Sequence, residues 1–286
     1  LIRRQRQMCI RDRDLRRVSE YVKDLYPDLP LYLIAHSMGT LVTRVYLKKY
    51  DYIPSGVFLC GAPSSDNSTG VITPVLDKYA KLRGDHYKDQ LINDLFVGIF
   101  DFVFKDENQK SAWICSDKNV VDEFVNDPLC GFPLTVQGYI DLGTLLYAIN
   151  TDQWYRRVPK DLPILLISGE NDPVGDMGKG VRRVFDKLNK TGHDVKLTLY
   201  PRIRHALITE MNSAQVYEDL YAFFSSHLPK AEEPVYEKET EAEPKVSTET
   251  EKSVENPAAE EEKETKAAAA EKYDDMPEEN AELPVI

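Results

Sequence analysis

Three residues of this 286-residue chain, Ser37, Asp172 and His205, stand just past strand-like runs, in types and order suited to acyl transfer. The first ends the segment LYLIAHSMG at residues 31–39. A serine that attacks a carbonyl must project from a tight strand-to-helix turn. There the residues two before and two after it crowd the neighbouring backbone, so both must be small. Ala35 and Gly39 meet that demand. Leu41, Val42, Val45 and Tyr46 then recur at i, i+1, i+4 and i+5, which predicts a helix over residues 40–50. The start of that helix would carry the Met38 backbone N–H toward a developing oxyanion, with the favourable end of the helix dipole behind it.

The acid and the base need strands of their own. Residues 163–169 (PILLISG) form a continuous apolar run, as in a strand covered on both faces, and lead straight into Glu170, Asn171 and Asp172. Asp172 thus falls at a strand's carboxyl end, with Glu170 and Asp176 as competing acids. Residues 195–200 (VKLTLY) alternate as another strand, His205 lies in the loop beyond, and a final helix is expected over residues 213–227. His36, His86, His193 and His227 compete for the role of base. His36 should point away from the nucleophile, and the other three should lie in inserted or surface positions. In this arrangement Ser37 attacks, His205 takes the proton and later returns it to the leaving alcohol, and Asp172 holds the imidazole tautomer.

The strings AHSMG, GENDPVG and RIRHALITE carry a resemblance. Over about residues 14–228 the chain resembles α/β-hydrolases of the monoacylglycerol lipase, lysophospholipase and S33 serine aminopeptidase-like group. The string DPLCGF at 127–132 is similar to one in bacterial members. The resemblance implies an α/β-hydrolase fold, a mostly parallel sheet flanked by helices, with an inserted helical cap. It places the acid at Asp172, in a D-P-V segment, and the base at His205, in R-H-x-x-x-x-E with Glu210 closing the string. It also implies a carboxylic ester hydrolase acting on monoacylglycerol- or lysophospholipid-like esters through an acyl-enzyme. Peptidase or amidase activity is the lesser alternative, and a non-catalytic scaffold that binds through an acidic tail is the other. The group's strands ahead of the elbow, and the His-Gly loop that gives a second oxyanion N–H, have no counterpart here, where a single helical segment over 14–25 precedes the elbow strand. The expectation is therefore an N-terminally truncated member with missing N-terminal strands and weakened turnover. Loss of one oxyanion donor costs roughly a hundredfold to a thousandfold.

The chain divides accordingly. Residues 1–13, with QRQMCIRDR at 5–13, look like translated adapter sequence and are expected to be a non-native leader. The hydrolase core is expected over 14–65 and 158–228, and the cap over 66–157, a connection far longer than a strand-to-helix loop requires. Residues 89–104 (DQLINDLFVGIFDFVF) hold Leu91, Leu95, Phe96, Ile99, Phe100, Val103 and Phe104. That apolar surface packs the cap, lines an acyl pocket, or leans on a lipid interface. Residues 139–149 form a similar stretch. Neither run is long or unbroken enough to span a bilayer.

Residues 229–286 carry 19 acidic and 7 basic side chains, which accounts for the whole net charge of −12 and leaves the body balanced at 29 of each. Without an apolar period, this tail is expected to be a disordered acidic extension. The balanced body offers no basic stripe for nucleic acid. Cys9, Cys60, Cys115 and Cys130 show no metal or disulfide spacing, and no glycine-rich phosphate loop occurs, so no cofactor and no metal are expected. The leader lacks the apolar core of a secretory signal, which points to the cytoplasm.

Overall fold

The computed structural model describes residues 2–50, 54–63, 69–150, 153–211 and 213–228, without the side chains of 2–11, 69–72 and 153. The acidic tail lies outside the described residues. Helix α1 (Ile2–Leu25) comes first, and strand β1 (Tyr32–His36) leads into α2 (Met38–Lys49). Strand β2 (Gly56–Cys60) follows, and then an insert built mainly of helices among the described residues: α3 (Thr69–Arg83), α4 (Gln90–Asn93), α5 (Ile99–Val103), α6 (Lys118–Asn126), α7 (Val136–Asn150) and α8 (Gln153–Arg157). The core resumes with β3 (Ile164–Gly169), α9 (Lys179–Lys190), β4 (Val195–Tyr200) and α10 (Ser213–His227). For α2, β3, β4 and α10 these bounds match the sequence periodicities to within two residues, and the start of the chain differs. There the helix expected from residue 14 begins at Ile2 and runs through the segment read as a leader. Within that stretch Asp12 is buried and bonded to Lys49 Nζ at 2.7 Å, which fastens the helix to α2.

The four strands form one parallel sheet in the order β1-β2-β3-β4. Alternation along the two central strands sorts their side chains onto two faces. Val57 and Leu59 of β2 and Ile164 and Leu166 of β3 share one core with Tyr46 of α2, Trp154 of α8 and Val181, Val184 and Leu188 of α9. Phe58, Cys60, Leu165 and Ile167 face the other way, onto Val216, Leu220 and Phe223 of α10. Both faces are therefore dry, which explains the unbroken apolar runs of β2 and β3. Among the described residues β1 pairs on one side only, and its Ile34 side chain is exposed.

The insert packs on itself and on α2. Leu76 and Ala80 of α3, Ile92 of α4 and Tyr139 and Ile140 of α7 make one cluster, while Leu145 and Ile149 of α7 lie on Leu41 and Val45 of α2. A π-helical stretch, Asp94–Gly98, separates α4 from α5. The apolar surface expected over residues 89–104 divides in two. Phe96 packs on Tyr139 with ring centroids 4.9 Å apart, and Phe100 on Trp113 at 5.2 Å. Leu91, Leu95, Ile99, Phe102 and Val103 are exposed. No helix among the described residues is long and apolar enough to cross a membrane.

Candidate active site

Ser37 occupies the junction of β1 and α2 with φ 51° and ψ −121°, left-handed backbone that a residue with a side chain adopts at a cost of about 1–3 kcal/mol. The surroundings hold it there. Its N–H donates to Cys60 O at 3.0 Å, across from β2. Its carbonyl accepts from the Thr40 N–H at 2.9 Å and from Thr40 Oγ1 at 2.7 Å. Helix α2 starts at Met38, so the Met38 N–H belongs to its first turn, the end that favours negative charge. A Cβ added at Gly39 would lie 3.9 Å from Ala35 Cβ, an ordinary contact, so the two small residues face each other as the turn requires.

The two candidate partners of Ser37, Asp172 and His205, meet at the carboxyl ends of β3 and β4. His205 Nδ1 lies 3.0 Å from Asp172 Oδ2, and both side chains are buried. The other oxygen of Asp172 accepts the Val174 N–H at 2.9 Å, and Ser168 Oγ stands 3.4 Å from Oδ2. The competing acids are elsewhere: Glu170 is exposed, and Asp176 is exposed and paired with Arg183 at 2.9 Å. Ser37 Oγ hydrogen-bonds to none of the described residues, so the structure joins Asp172 to His205 while the Ser37–His205 contact is open. Such contacts commonly tighten only when substrate is bound.

The competing histidines also separate. His86 is exposed, and His227 is half-buried on α10. His193 departs from the expected surface position: it is buried, with its ring nitrogens at Val158 O (3.0 Å) and Thr191 Oγ1 (2.8 Å), where it serves the packing behind β4. His36 lies against His205. Its ring centroid is 4.7 Å from that of His205, and its Nε2 lies 3.0 Å from the His205 carbonyl oxygen. The protein crowded around His36, and then the facing His205, lower its pKa below the usual imidazole value. The backbone bond and the Asp172 charge oppose that shift. Neutral, its Nε2–H can hold the His205 carbonyl.

Two glycines that carry no chemistry make the site fit, and the sequence reading missed both. Gly61, at φ 56° just past β2, faces the acid–base pair: a Cβ there would stand 3.1 Å from His205 Nδ1 and 3.4 Å from Asp172 Oδ2. Gly169, the last residue of β3, lies so close to the loop carrying His205 that a Cβ would fall 2.0 Å from Ile203 O. A glycine at the carboxyl end of both β2 and β3 was the available signal, but only the folded chain shows what approaches it. Replacing Gly61 by alanine is expected to displace the imidazole and lower ester turnover about 100-fold, as small misplacements do. Steady-state rates of the Gly61→Ala protein measure this, and a rate within threefold of the parent refutes it.

Among the described residues no cluster of three or more His, Cys, Asp or Glu is placed to hold a metal ion. Cys60 is buried beneath the site, and burial pushes its thiol up to about 12. It packs with the core of β2.

A serine held in a left-handed strand-to-helix turn, on a parallel sheet whose β3 and β4 ends bring buried Asp172 and His205 together, defines the chain as an α/β-hydrolase. Within that class it belongs to the serine aminopeptidase S33 family, which matches residues 9–212. It is 26% identical over 224 residues to the monoacylglycerol lipase of Mycolicibacterium smegmatis, covering 75% of this chain and 72% of that protein. To the monoglyceride lipase of Saccharomyces cerevisiae it is 24% identical over 219 residues, 72% of this chain and 64% of that one. Among solved structures, a thermostable carboxyl esterase from Bacillus coagulans in complex with glycerol superposes with a TM-score of 0.69. It is 29% identical, over 75% of this chain and 70% of that one.

Proposed function

We propose that the protein is a serine hydrolase of carboxylic esters, with Ser37 as nucleophile, His205 as general base and acid, and Asp172 as the acid that orients it. The observation that carries this reading is the buried 3.0 Å contact between His205 Nδ1 and Asp172 Oδ2 on the same sheet edge as the strained Ser37. Ser37 Oγ forms a bond to the acyl carbon as its proton passes to His205 Nε2, and the oxyanion takes the Met38 N–H. Collapse of the adduct breaks the bond to the alcohol, which leaves with the proton from His205. Water then enters by the same route and releases the carboxylic acid and Ser37. Asp172 stays ionised and stabilises the imidazolium.

A monoacylglycerol- or lysophospholipid-like ester fits best. Its support is the pair of lipase relatives, the glycerol-bound esterase and the exposed apolar side of residues 91–103. We take the insert as a cap that leans on lipid through Leu91, Leu95 and Ile99 and is braced from within by Phe96 and Phe100. The free Cys60, Cys115 and Cys130 suit the reducing cytoplasm.

A fluorophosphonate probe should label the protein, and the Ser37→Ala protein should not be labelled; equal labelling of both would remove Ser37 as nucleophile. A series of p-nitrophenyl esters of rising acyl length, run beside aminoacyl anilides, separates lipid ester from peptide. Rates rising with chain length support the proposed substrate, and faster anilide cleavage would transfer the site to the peptidases.

A further inference from the structure

The loop that carries His205 is tied to residues 107–116 of the insert on both flanks of the histidine. Just before it, the Arg204 guanidinium reaches across: Nη1 donates to Ala112 O at 2.6 Å, to Cys115 O at 3.2 Å and to Glu107 Oε2 at 3.1 Å, while Nη2 pairs with Glu107 Oε1. The Phe104 ring centroid lies 4.1 Å from the guanidinium carbon. Just after it, the Ala206 N–H donates to Ile114 O at 2.7 Å. Glu210 closes the far end, buried, accepting the Arg204 N–H at 2.9 Å, the Ser116 N–H at 3.0 Å and the Ser116 hydroxyl. Inside these bonds sits Trp113, its ring centroid 5.3 Å from that of His205.

The join is polar as well as packed, since Ala206 of the loop also lies against the apolar cluster of Ile114, Cys115 and Val121. A cleft of about 270 Å³, lined by Ser116, Pro201, Arg202, Ile203, Glu210 and Met211, opens beside its Glu210 end. Charge-assisted bonds from a largely buried guanidinium are the strong kind, and they lose most when one partner is neutralised. Nothing in the ester chemistry uses Arg204, Glu107 or Glu210, yet all three converge on the two segments that enclose the imidazole.

We infer that Arg204, Glu107 and Glu210 are positioning residues for His205, forming a clasp that holds residues 107–116, and with them Trp113, against the base. Its catalytic consequence rests on the proposed triad; the clasp itself does not. The insert thereby acts on proton transfer as well as on substrate binding. A ligand that shifts residues 107–116 would alter the rate of the chemical step, even at saturation.

The test uses Glu107→Gln, at a partly exposed position that leaves the core intact, with Glu107→Asp as the conservative rescue. Amide exchange at Ala206, followed by NMR, should quicken about tenfold in Glu107→Gln, the signature of a local opening. The saturating rate of fluorophosphonate labelling at Ser37 should fall about tenfold with the half-saturating concentration unchanged, and Glu107→Asp should recover most of both effects. A merely structural contact would lower the melting temperature while leaving the labelling rate per folded molecule intact. Unchanged exchange at Ala206 overturns the clasp, and faster exchange with an unchanged saturating rate overturns its role in setting His205. If the parent protein protects Ala206 yet does not label, the nucleophile assignment fails instead. Loss of that protection in Glu107→Gln then still upholds the clasp.

Discussion

Asp172→Asn should lower the ester-hydrolysis rate about 10,000-fold with little change in fold, the size of loss that follows when the orienting carboxylate of such a triad becomes an amide. The geometry explains why so small a change would do so much. The oxygen of Asp172 that faces the Val174 N–H at 2.9 Å can be matched by the amide oxygen of asparagine. The amide nitrogen then faces His205 Nδ1, where the carboxylate had accepted a hydrogen bond at 3.0 Å. It donates, which makes Nδ1 the acceptor and leaves the proton on Nε2, so the imidazole can no longer receive one from Ser37. Stopped-flow or steady-state measurement with a p-nitrophenyl ester, beside a thermal melt, reports both quantities. Retention of a tenth of the activity would remove Asp172 from the role, and the exposed Glu170 and Asp176 would have to be tested in its place.

Gly169→Ala should unfold the site by a different route. The added methyl would lie 2.0 Å from Ile203 O and 2.5 Å from Arg204 O, and both obstacles are backbone, so no side-chain rotation relieves them. Overpacking of this kind typically costs 1–3 kcal/mol and more where the backbone must part, so about 4 kcal/mol is expected here. That is near 10 °C in melting temperature for a body of this size. The Asn171 N–H bond to Ile203 O at 3.0 Å, which ties the acid's loop to the base's, would be lost with it. Circular dichroism melts of the two proteins decide the matter. An unshifted transition would mean that the end of β3 and the His205 loop do not meet as described.

What the sequence revealed and what it hid divide along a physical line. The strand runs at 32–36, 164–169 and 195–200 and the helices after Ser37 and at 213–227 are written in local periodicity, because each buries one stripe or two faces. The positions of Ser37, Asp172 and His205 followed from those runs, since loops at strand ends have few other places to go. Gly61 and Gly169 were hidden because their importance lies in a segment far along the chain that comes to rest against them. The inward turn of Phe96 and Phe100 was hidden too, since residues 89–104 are apolar nearly all round and the π-helical stretch in their middle shifts the facing. His193 read as a surface residue because one of its partners, Val158 O, comes from a segment 35 residues earlier, just past α8, while the other, Thr191 Oγ1, is local.

The one-sided pairing of β1 has a practical meaning for anyone handling the protein. A strand that pairs on one side only among the described residues, with Ile34 turned to solvent, is a template on which a further segment or another chain can add itself. Ser37 stands at the end of that strand. Where another copy adds itself to β1, two molecules meet at Ser37, and specific activity should then decline as this chain is concentrated. Dilution should restore it.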